Sequence, residues 1–349
     1  MSATHALAGT HRRAATVALV LLAIALGLLL LGTAVGSTGF ESVLHAQEDP
    51  VARQIILDIR LPRTLGAWLV GALLGLAGAV AQGLFRNPLA DPFLLGSASG
   101  ASLGVAMALA LLGVSLPAVV QAAPAAQWLV RLGITGAAFL GALLAVLLTL
   151  VLARGVQNNL RLLLAGVVVG VVLGAIMDLL TLAAPDILQA LKGFMLGSTA
   201  FIGWGANGLL LLVWLPCMAL AWCLSRVLDG LVLGETTAHS LGLPLAPVRA
   251  VLVLVLALAT GAAVAQTGLI AFIGLASPHL VRSFLRTTHG WLLLLSSLMG
   301  AVLLLAADVL ARWVIAPQEL PVGVLTAVLG GTYLLWLMHR RRSGGGGGL

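Results

Sequence analysis

The sequence predicts an all-α membrane protein with about ten transmembrane helices. Hydrophobic residues make up 61% of the chain and charged residues only 8%, whereas a soluble domain usually carries about 25% charged residues. The apolar residues form long runs, and a run of about 20 is enough to cross a bilayer as a helix. Because about ten crossings use most of the 349 residues, no soluble catalytic domain of ordinary size fits beside them.

Each long apolar run is interpreted as a helix, because backbone polar groups in lipid must be paired within their own segment. The eighth run is interrupted by Gly268, Gly274 and Pro278, which leaves a short broken or re-entrant helix open there. One transmembrane domain therefore covers about residues 1–342, and the glycine run at about 343–349 is interpreted as a tail. The predicted helices are about 14–35, 62–83, 94–113, 131–152, 161–182, 205–224, 249–266, 269–285, 291–311 and 322–339.

The basic residues indicate the orientation of the chain in the membrane. If the N-terminus lies inside, most of the 18 Lys and Arg residues fall in cytoplasmic connections, as the positive-inside rule requires. The first run follows Arg12 and Arg13 without a small-residue cleavage pattern, so we expect a retained helix rather than a signal peptide. Both termini are expected in the cytoplasm.

Three connections are too long to be simple turns, at about 36–61 and 183–204 outside and 225–248 inside. The cytoplasmic connection contains two short amphipathic stretches separated by Gly234 and ended by Gly242 and Pro244. This pattern predicts a compact helical hairpin at the membrane surface, where a cytoplasmic partner would bind.

The fifth predicted helix carries Gly166, Gly170 and Gly174 at a spacing of four, which places three positions without side chains on one face. Two interpretations remain open at this point. Another helix backbone approaches closely there, or a bulky substrate passes along that face.

Other residues exclude several classes of function. The formal charge of +7 comes from bases scattered between apolar runs, so a nucleic-acid surface is not indicated. Cys217 and Cys223 lie six residues apart on one helix, too far for a disulfide. His279 lacks further metal ligands nearby, so no metal or cofactor is assigned to this chain. No GxxxxGK[ST] phosphate loop occurs, so ATP would be bound by another chain.

Four segments together resemble a known family. They are RLPRTLGAWLVGALLGLAGAVAQGLFRNPLADPFLLGSASGASLG, LGETTAHSLGLPL, GLIAFIGLASPHLVR and ADVLARWVIAPQELPVGVLTAVLGGTYLLWL. These segments, in this order, are similar to those of the iron-siderophore, haem and cobalamin permeases of type II ATP-binding cassette (ABC) importers. The resemblance implies a homodimer of ten-helix, BtuC-like subunits in the bacterial inner membrane. It also implies two cytoplasmic ATP-binding subunits that hold ATP and Mg, and a periplasmic binding protein that delivers a large metal chelate.

The resemblance also implies three functional sites. Arginines that dock the binding protein correspond to Arg60, Arg63 and Arg312; from spacing alone they would be assigned to snorkelling at helix ends. Contacts to the ATP-binding subunit correspond to Gly234, Glu235, His239, Gly242, Leu243 and Pro244. The cytoplasmic gate corresponds to Asn87, Leu89, Asn159 and Leu160, with Gly166, Gly170 and Gly174 as candidates for lining the pathway.

Haem is the favoured substrate, because the apolar helices offer no distinct polar pocket for a hydrophilic ligand; a ferric siderophore and vitamin B12 are the alternatives. An ion-coupled secondary transporter is a remote alternative, since only Asp178 and Asp308 are carboxylates within predicted spans. An intramembrane hydrolase built on Ser277 and His279 is not favoured, because no orienting carboxylate or GxSxG context accompanies them.

Overall fold

The computed structural model describes residues 2–36, 39–40, 50–112, 124–154 and 159–343. Almost all of these residues are helical. The α-helices are α1 (Ser2–Ala34), α2 (Pro50–Ile55), α3 (Leu61–Phe85), α4 (Ser97–Leu112), α5 (Pro124–Leu152), α6 (Asn159–Ala183), α7 (Leu188–Leu196), α8 (Trp204–Cys223), α9 (Ser225–Val232), α10 (Glu235–Ser240), α11 (Leu245–Thr267), α12 (Ile273–Phe284), α13 (His289–Trp313) and α14 (Val322–Ser343). A minimal antiparallel pair joins β1 (Val35–Gly36) to β2 (Gly39–Phe40).

The predicted all-α membrane fold is confirmed, and each of the ten predicted spans overlaps one of these helices. Within the described ranges, seven helices are long and apolar enough to cross a membrane. Two shorter apolar helices, Ser97–Leu112 and Val322–Trp336, cover two more of the predicted spans.

The eighth predicted span contains a short helix, which is one of the two possibilities that its glycines and proline indicated. α12 has 12 residues, about 18 Å at 1.5 Å per residue, which is too short to cross a core of about 30 Å. Gly268 and Phe272 both adopt a positive φ before it. A Cβ on Gly268 would lie 2.0 Å from the Phe194 carbonyl oxygen, so the chain turns where only glycine fits.

The core is organised around α3, which is buried along most of its length against α11, α12 and α13. α3 and α13 approach so closely that a Cβ on Gly71 would lie 2.3 Å from the Gly300 carbonyl oxygen. α4 and α5 cross in the same way at Gly100 and Gly141. Small residues at such crossings allow the helix backbones to pack directly, which is the main source of attraction between helices in lipid.

Two helical segments lie in connections that were predicted only as long loops. α2 continues through a π-helical turn, Ile56–Arg60, into α3. α7 follows a 3₁₀ turn, Pro185–Ile187, and its C-terminal end accepts a hydrogen bond from Leu269 N at Phe194 O (3.2 Å). These segments are too short to produce a long apolar run, which is the pattern that predicts a membrane-spanning helix.

Candidate functional site

Arg63, at the start of α3, is the centre of an ion-pair cluster at one end of the helix bundle. Its Nε and Nη2 donate to Asp308 Oδ1 on α13, both at 3.2 Å. Its Nη1 donates to both carboxylate oxygens of Glu319, at 3.0 and 2.8 Å. The guanidinium group is therefore engaged by two carboxylates that come from different parts of the chain.

Asp308 is the fully buried member of this cluster, with a side chain 0% exposed. It accepts a hydrogen bond from Thr199 Oγ1 at 2.5 Å and pairs with Arg312 one helical turn later on α13. A buried carboxylate is stable only when it is paired and hydrogen-bonded. Asp308 meets that condition through two arginines and a hydroxyl group.

Two further contacts of the cluster reach the end of α1. Arg312 Nη1 donates to the Gly32 carbonyl oxygen at 2.7 Å, and Arg60 Nη1 donates to the Ala34 carbonyl oxygen at 3.4 Å. The last carbonyl groups of a helix have no partner within the helix and carry partial negative charge. The two arginines therefore act as caps for the C-terminus of α1.

The structure thus brings together the three arginines predicted to dock a binding protein, and it buries them. Arg60, Arg63 and Arg312 are 7%, 8% and 1% exposed, and their contacts include Asp308, Glu319 and backbone carbonyl groups of the same chain. No sequence pattern predicted that Asp308 and Glu319 belong to this cluster. The docking role of the arginines stays a prediction.

The connection between α8 and α11 folds as predicted into two helices, α9 and α10, joined at Gly234 with φ +104°. Leu228 and Leu231 of α9 are buried against the bundle. Leu243 N donates to the Ala238 carbonyl oxygen at 3.2 Å, so the end of the hairpin folds back onto α10. We call residues 225–244 the hairpin.

Three of the six residues predicted to contact an ATP-binding subunit face inward or are half-buried. The Glu235 carboxylate pairs with Arg249 at the start of α11 and with Arg86 at 3.6 Å. Leu243 is half-buried, as is Gly234. Gly242 and Pro244 are exposed, and the side chain of His239 lies outside the part that the structure describes.

The hairpin also exposes large apolar side chains that were not among the predicted contact residues. Val232, Leu233 and Leu241 are 65%, 64% and 61% exposed. Besides the ion pairs of Glu235, a contact between Asp229 and His289 fixes the hairpin to α13. His289 N and Nδ1 lie 2.9 and 2.7 Å from Asp229 Oδ1. The hairpin is therefore tied to the bundle by Glu235 and Asp229, while these three large apolar side chains stay exposed.

The predicted gate residues follow the C-terminal end of α3 and begin α6. Arg86 ends α3 in the left-handed conformation, φ +50°, and Asn87 Oδ1 accepts a hydrogen bond from Leu89 N at 2.9 Å. Leu89 and Leu160 are 51% and 67% exposed. The side chain of Asn159 lies outside the part that the structure describes. The gate function stays a prediction.

The three glycines of α6 are not equivalent. A Cβ on Gly166 would lie 2.1 Å from the Leu94 carbonyl oxygen, whereas one on Gly174 would meet nothing within 4 Å. Close packing therefore explains Gly166, and the face opens toward Gly174. An open groove of about 500 Å³ runs beside Gly166 and Gly170 and is lined also by Asp91, Phe93 and Ser99.

Asp91 lies at the edge of this groove, outside the apolar spans. Its Oδ1 accepts a hydrogen bond from Phe93 N at 2.8 Å and caps the 3₁₀ turn Pro92–Leu95. Burial raises the pKa of the Asp91 carboxyl, and the hydrogen bond from Phe93 lowers it to a smaller extent. Among the described residues, no group of three or more His, Cys, Asp and Glu side chains is arranged to hold a metal ion.

Comparison with known proteins gives matches that span most of the chain. The model of the FecCD transport family matches residues 15–340. The hemin transport system permease protein HmuU of Yersinia pestis is 41% identical over 315 residues, which cover 89% of this chain and 91% of HmuU. The vitamin B12 import system permease protein BtuC of Salmonella typhi is 40% identical over 284 residues, 81% of this chain and 83% of BtuC.

A solved structure gives the same relationship at the level of the fold. It is described as an inward-facing conformation of a metal-chelate type ABC transporter, and it matches with a TM-score of 0.81 at 27% sequence identity. The match covers 93% of this chain and 99% of that chain.

Proposed function

Because the chain belongs to the FecCD transport family, we propose that it is the membrane-spanning permease subunit of an ABC importer that carries haem from the periplasm to the cytoplasm. The family match over residues 15–340 is the observation that carries this assignment. The coarser function, a permease for haem, ferric siderophores or vitamin B12, follows from that family and from the relatives.

Haem is proposed ahead of the other chelates on the nature of the groove beside α6. Its lining combines glycines and apolar side chains with few polar groups, Asp91 and Ser99 among them. Such a surface favours a flat, largely apolar ligand over a hydrophilic one. Sequence identity does not decide the substrate, because the hemin and vitamin B12 permeases are 41% and 40% identical to this chain.

The partners follow from the same proposal. A homodimer is supported by α6, which exposes apolar residues on several faces, including Val167, Val171 and Leu179. One face of such a helix contacts lipid, and another is available for a second subunit around a central pathway. Two ATP-binding subunits, which hold ATP and Mg, would dock on the exposed side of the hairpin, with Val232, Leu233 and Leu241 adding to Gly242 and Pro244.

The proposed orientation places the hairpin in the cytoplasm and the arginine cluster on the periplasmic side of the bacterial inner membrane, with both termini inside. A periplasmic binding protein would then meet the cluster formed by Arg60, Arg63 and Arg312. Secondary transport is disfavoured by Asp308, whose carboxylate is already neutralised by two arginines, because an ion-coupling carboxylate must be able to exchange its ion.

Reconstitution tests this function. The purified chain alone is expected to hydrolyse no ATP, and the chain with its ATP-binding subunits is expected to form a complex with two copies of each. Proteoliposomes containing that complex and the binding protein should take up haem only with ATP inside, with ferric siderophore and cobalamin as comparisons. Uptake without ATP, or hydrolysis by the chain alone, would contradict the assignment.

A further inference from the structure

The arginines of the cluster differ in the kind of partner that balances their charge. Three arginines, Arg60, Arg63 and Arg312, lie among two carboxylates, Asp308 and Glu319. Backbone carbonyl groups of α1 supply part of the compensation for Arg60 and Arg312. Arg63 differs from them, because its charge is balanced by the two carboxylates of Asp308 and Glu319.

The two carboxylates differ in how firmly they are held. Asp308 is 0% exposed, and its two oxygens are shared by Arg63, Arg312 and Thr199. The Glu319 side chain is 29% exposed and its contacts in the cluster are the two hydrogen bonds from Arg63 Nη1. Glu319 lies in the connection between α13 and α14, so rotation of its side chain carries the carboxylate into water without moving a helix.

Arg63 itself is fixed in position while one side of its guanidinium group stays exchangeable. Nε and Nη2 are held by Asp308, and Nη1 is the group that Glu319 occupies. A guanidinium group binds any carboxylate with the same geometry. Loss of Glu319 without replacement would leave part of a buried charge unpaired, whereas exchange for another carboxylate preserves the ion pair.

We propose that Glu319 occupies, in the undocked permease, the place on Arg63 that a carboxylate of the periplasmic binding protein takes on docking. Docking is then an exchange of carboxylates on Arg63, and Glu319 is an internal competitor that lowers the affinity. This inference rests on the proposed function and specifies how its docking surface is regulated. It also explains how a buried arginine serves a partner, since the exchange needs no prior exposure of an unpaired charge.

Substitution of Glu319 tests the exchange. The complete complex with Glu319→Gln, in lipid nanodiscs, is compared with the unchanged complex for its dissociation constant with its own periplasmic haem-binding protein at low ionic strength. Because the neutral amide has no charge to hold Arg63, we expect binding to become about fivefold tighter, the size of one partly exposed ion pair. The pair between Arg63 and Asp308 remains, so the variant keeps its fold.

The matched control is Asp186→Asn, which removes an exposed carboxylate of the 3₁₀ turn Pro185–Ile187, expected on the same side of the membrane. This substitution removes one negative charge, as Glu319→Gln does, but leaves the contacts of Arg63 unchanged. If the dissociation constant falls equally in both variants, the change in net charge explains the effect and the exchange is wrong. Unchanged or weaker binding by Glu319→Gln would overturn it as well.

A second measurement uses variants of the binding protein in which carboxylates of its docking surface are changed to amides. In the unchanged permease, Glu319 pairs with Arg63 again when the partner lacks a carboxylate, so the loss of affinity is small. In Glu319→Gln no carboxylate of the permease can replace the missing one on Arg63. The same change in the binding protein should therefore cause about a fivefold larger loss of affinity. If the change in the binding protein lowers the affinity equally for the unchanged permease and for Glu319→Gln, no exchange takes place on Arg63. If the unchanged complex binds no periplasmic protein, the proposed docking itself is wrong.

Discussion

Arg63 and Asp308 lie 3.2 Å apart, although 245 residues separate them in the sequence. The pair joins α3 to α13, two helices whose backbones pack directly at Gly71 and Gly300. An ion pair between buried side chains contributes little net stability, but removal of one partner leaves an uncompensated charge. The pair therefore makes the position of α3 depend on Asp308.

Asp308→Asn is expected to destabilise the protein by about 3–5 kcal/mol, because Arg63 and Arg312 lose their shared carboxylate. Thermal unfolding in detergent measures the loss. The control is Asp178→Asn, which removes an exposed carboxylate on α6 and should have little effect on unfolding. Equal unfolding temperatures for the two variants would show that the charge of Asp308 is not needed.

The sequence predicted the helices well and the arginine cluster only in part. Apolar runs report on crossing a membrane, so the long helices were found, whereas α2 and α7 are too short to produce such a run. The pairing of Asp308 with Arg312 is visible as a spacing of four. The contacts of Arg63 with Asp308 and Glu319 are not visible, because no local pattern encodes a contact between distant segments.

The burial of Arg60, Arg63 and Arg312 changes the expected effect of reversing their charge. From the sequence alone, reversal of Arg60, Arg63 and Arg312 to Glu would only weaken the contact with a binding protein. In the structure the same change would place three carboxylates beside Asp308 and Glu319 in a buried cluster. We expect that triple variant to fail to fold, so it reports on folding rather than docking.

Asp91 combines a useful hydrogen bond with an unfavourable charge, and two substitutions separate these effects. Asp91→Ala removes the cap of the 3₁₀ turn and should cost about 1 kcal/mol. Asp91→Asn keeps an oxygen that accepts from Phe93 N and removes the buried charge. It should be at least as stable as the unchanged protein at pH 7.

The pH dependence of the Asp91 variants has a defined sign. Burial raises the pKa of Asp91 in the folded protein, so its neutral form is favoured there and the charged form costs stability as pH rises through that pKa. The advantage of Asp91→Asn in thermal unfolding should therefore shrink as the pH is lowered from 7 into the titration range of the carboxyl. An advantage that grows in acid would contradict this origin.

The two arginines that contact Glu235 should differ in importance because they differ in burial. The Arg249 side chain is 4% exposed and that of Arg86 is 40% exposed. Arg249→Gln is expected to lower stability by about 1.5–3 kcal/mol, the range for a hydrogen bond to a charged group. Arg86→Gln should cost less than about 1 kcal/mol, and equal losses in thermal unfolding would show that burial does not set the strength of these contacts.

Gly242 ends the hairpin with φ +73°, and a Cβ there would meet nothing within 4 Å. Gly242→Val is therefore expected to act through the backbone, since a β-branched residue is strained in the left-handed region. The turn should shift by changing its backbone angles, and the exposed side of the hairpin should move with it. The bundle should stay inserted, because its apolar helices and not the hairpin hold it in the membrane.

The readout for Gly242→Val is haem uptake per ATP hydrolysed in proteoliposomes that contain the complete complex. We expect the ratio to fall severalfold while the variant still inserts and assembles like the unchanged protein. Gly27→Val is the control, because Gly27 lies on α1 with open space around it and no positive φ, so the same side chain is added without strain. If the two variants retain the same ratio, the geometry of the hairpin at Gly242 does not couple ATP hydrolysis to transport.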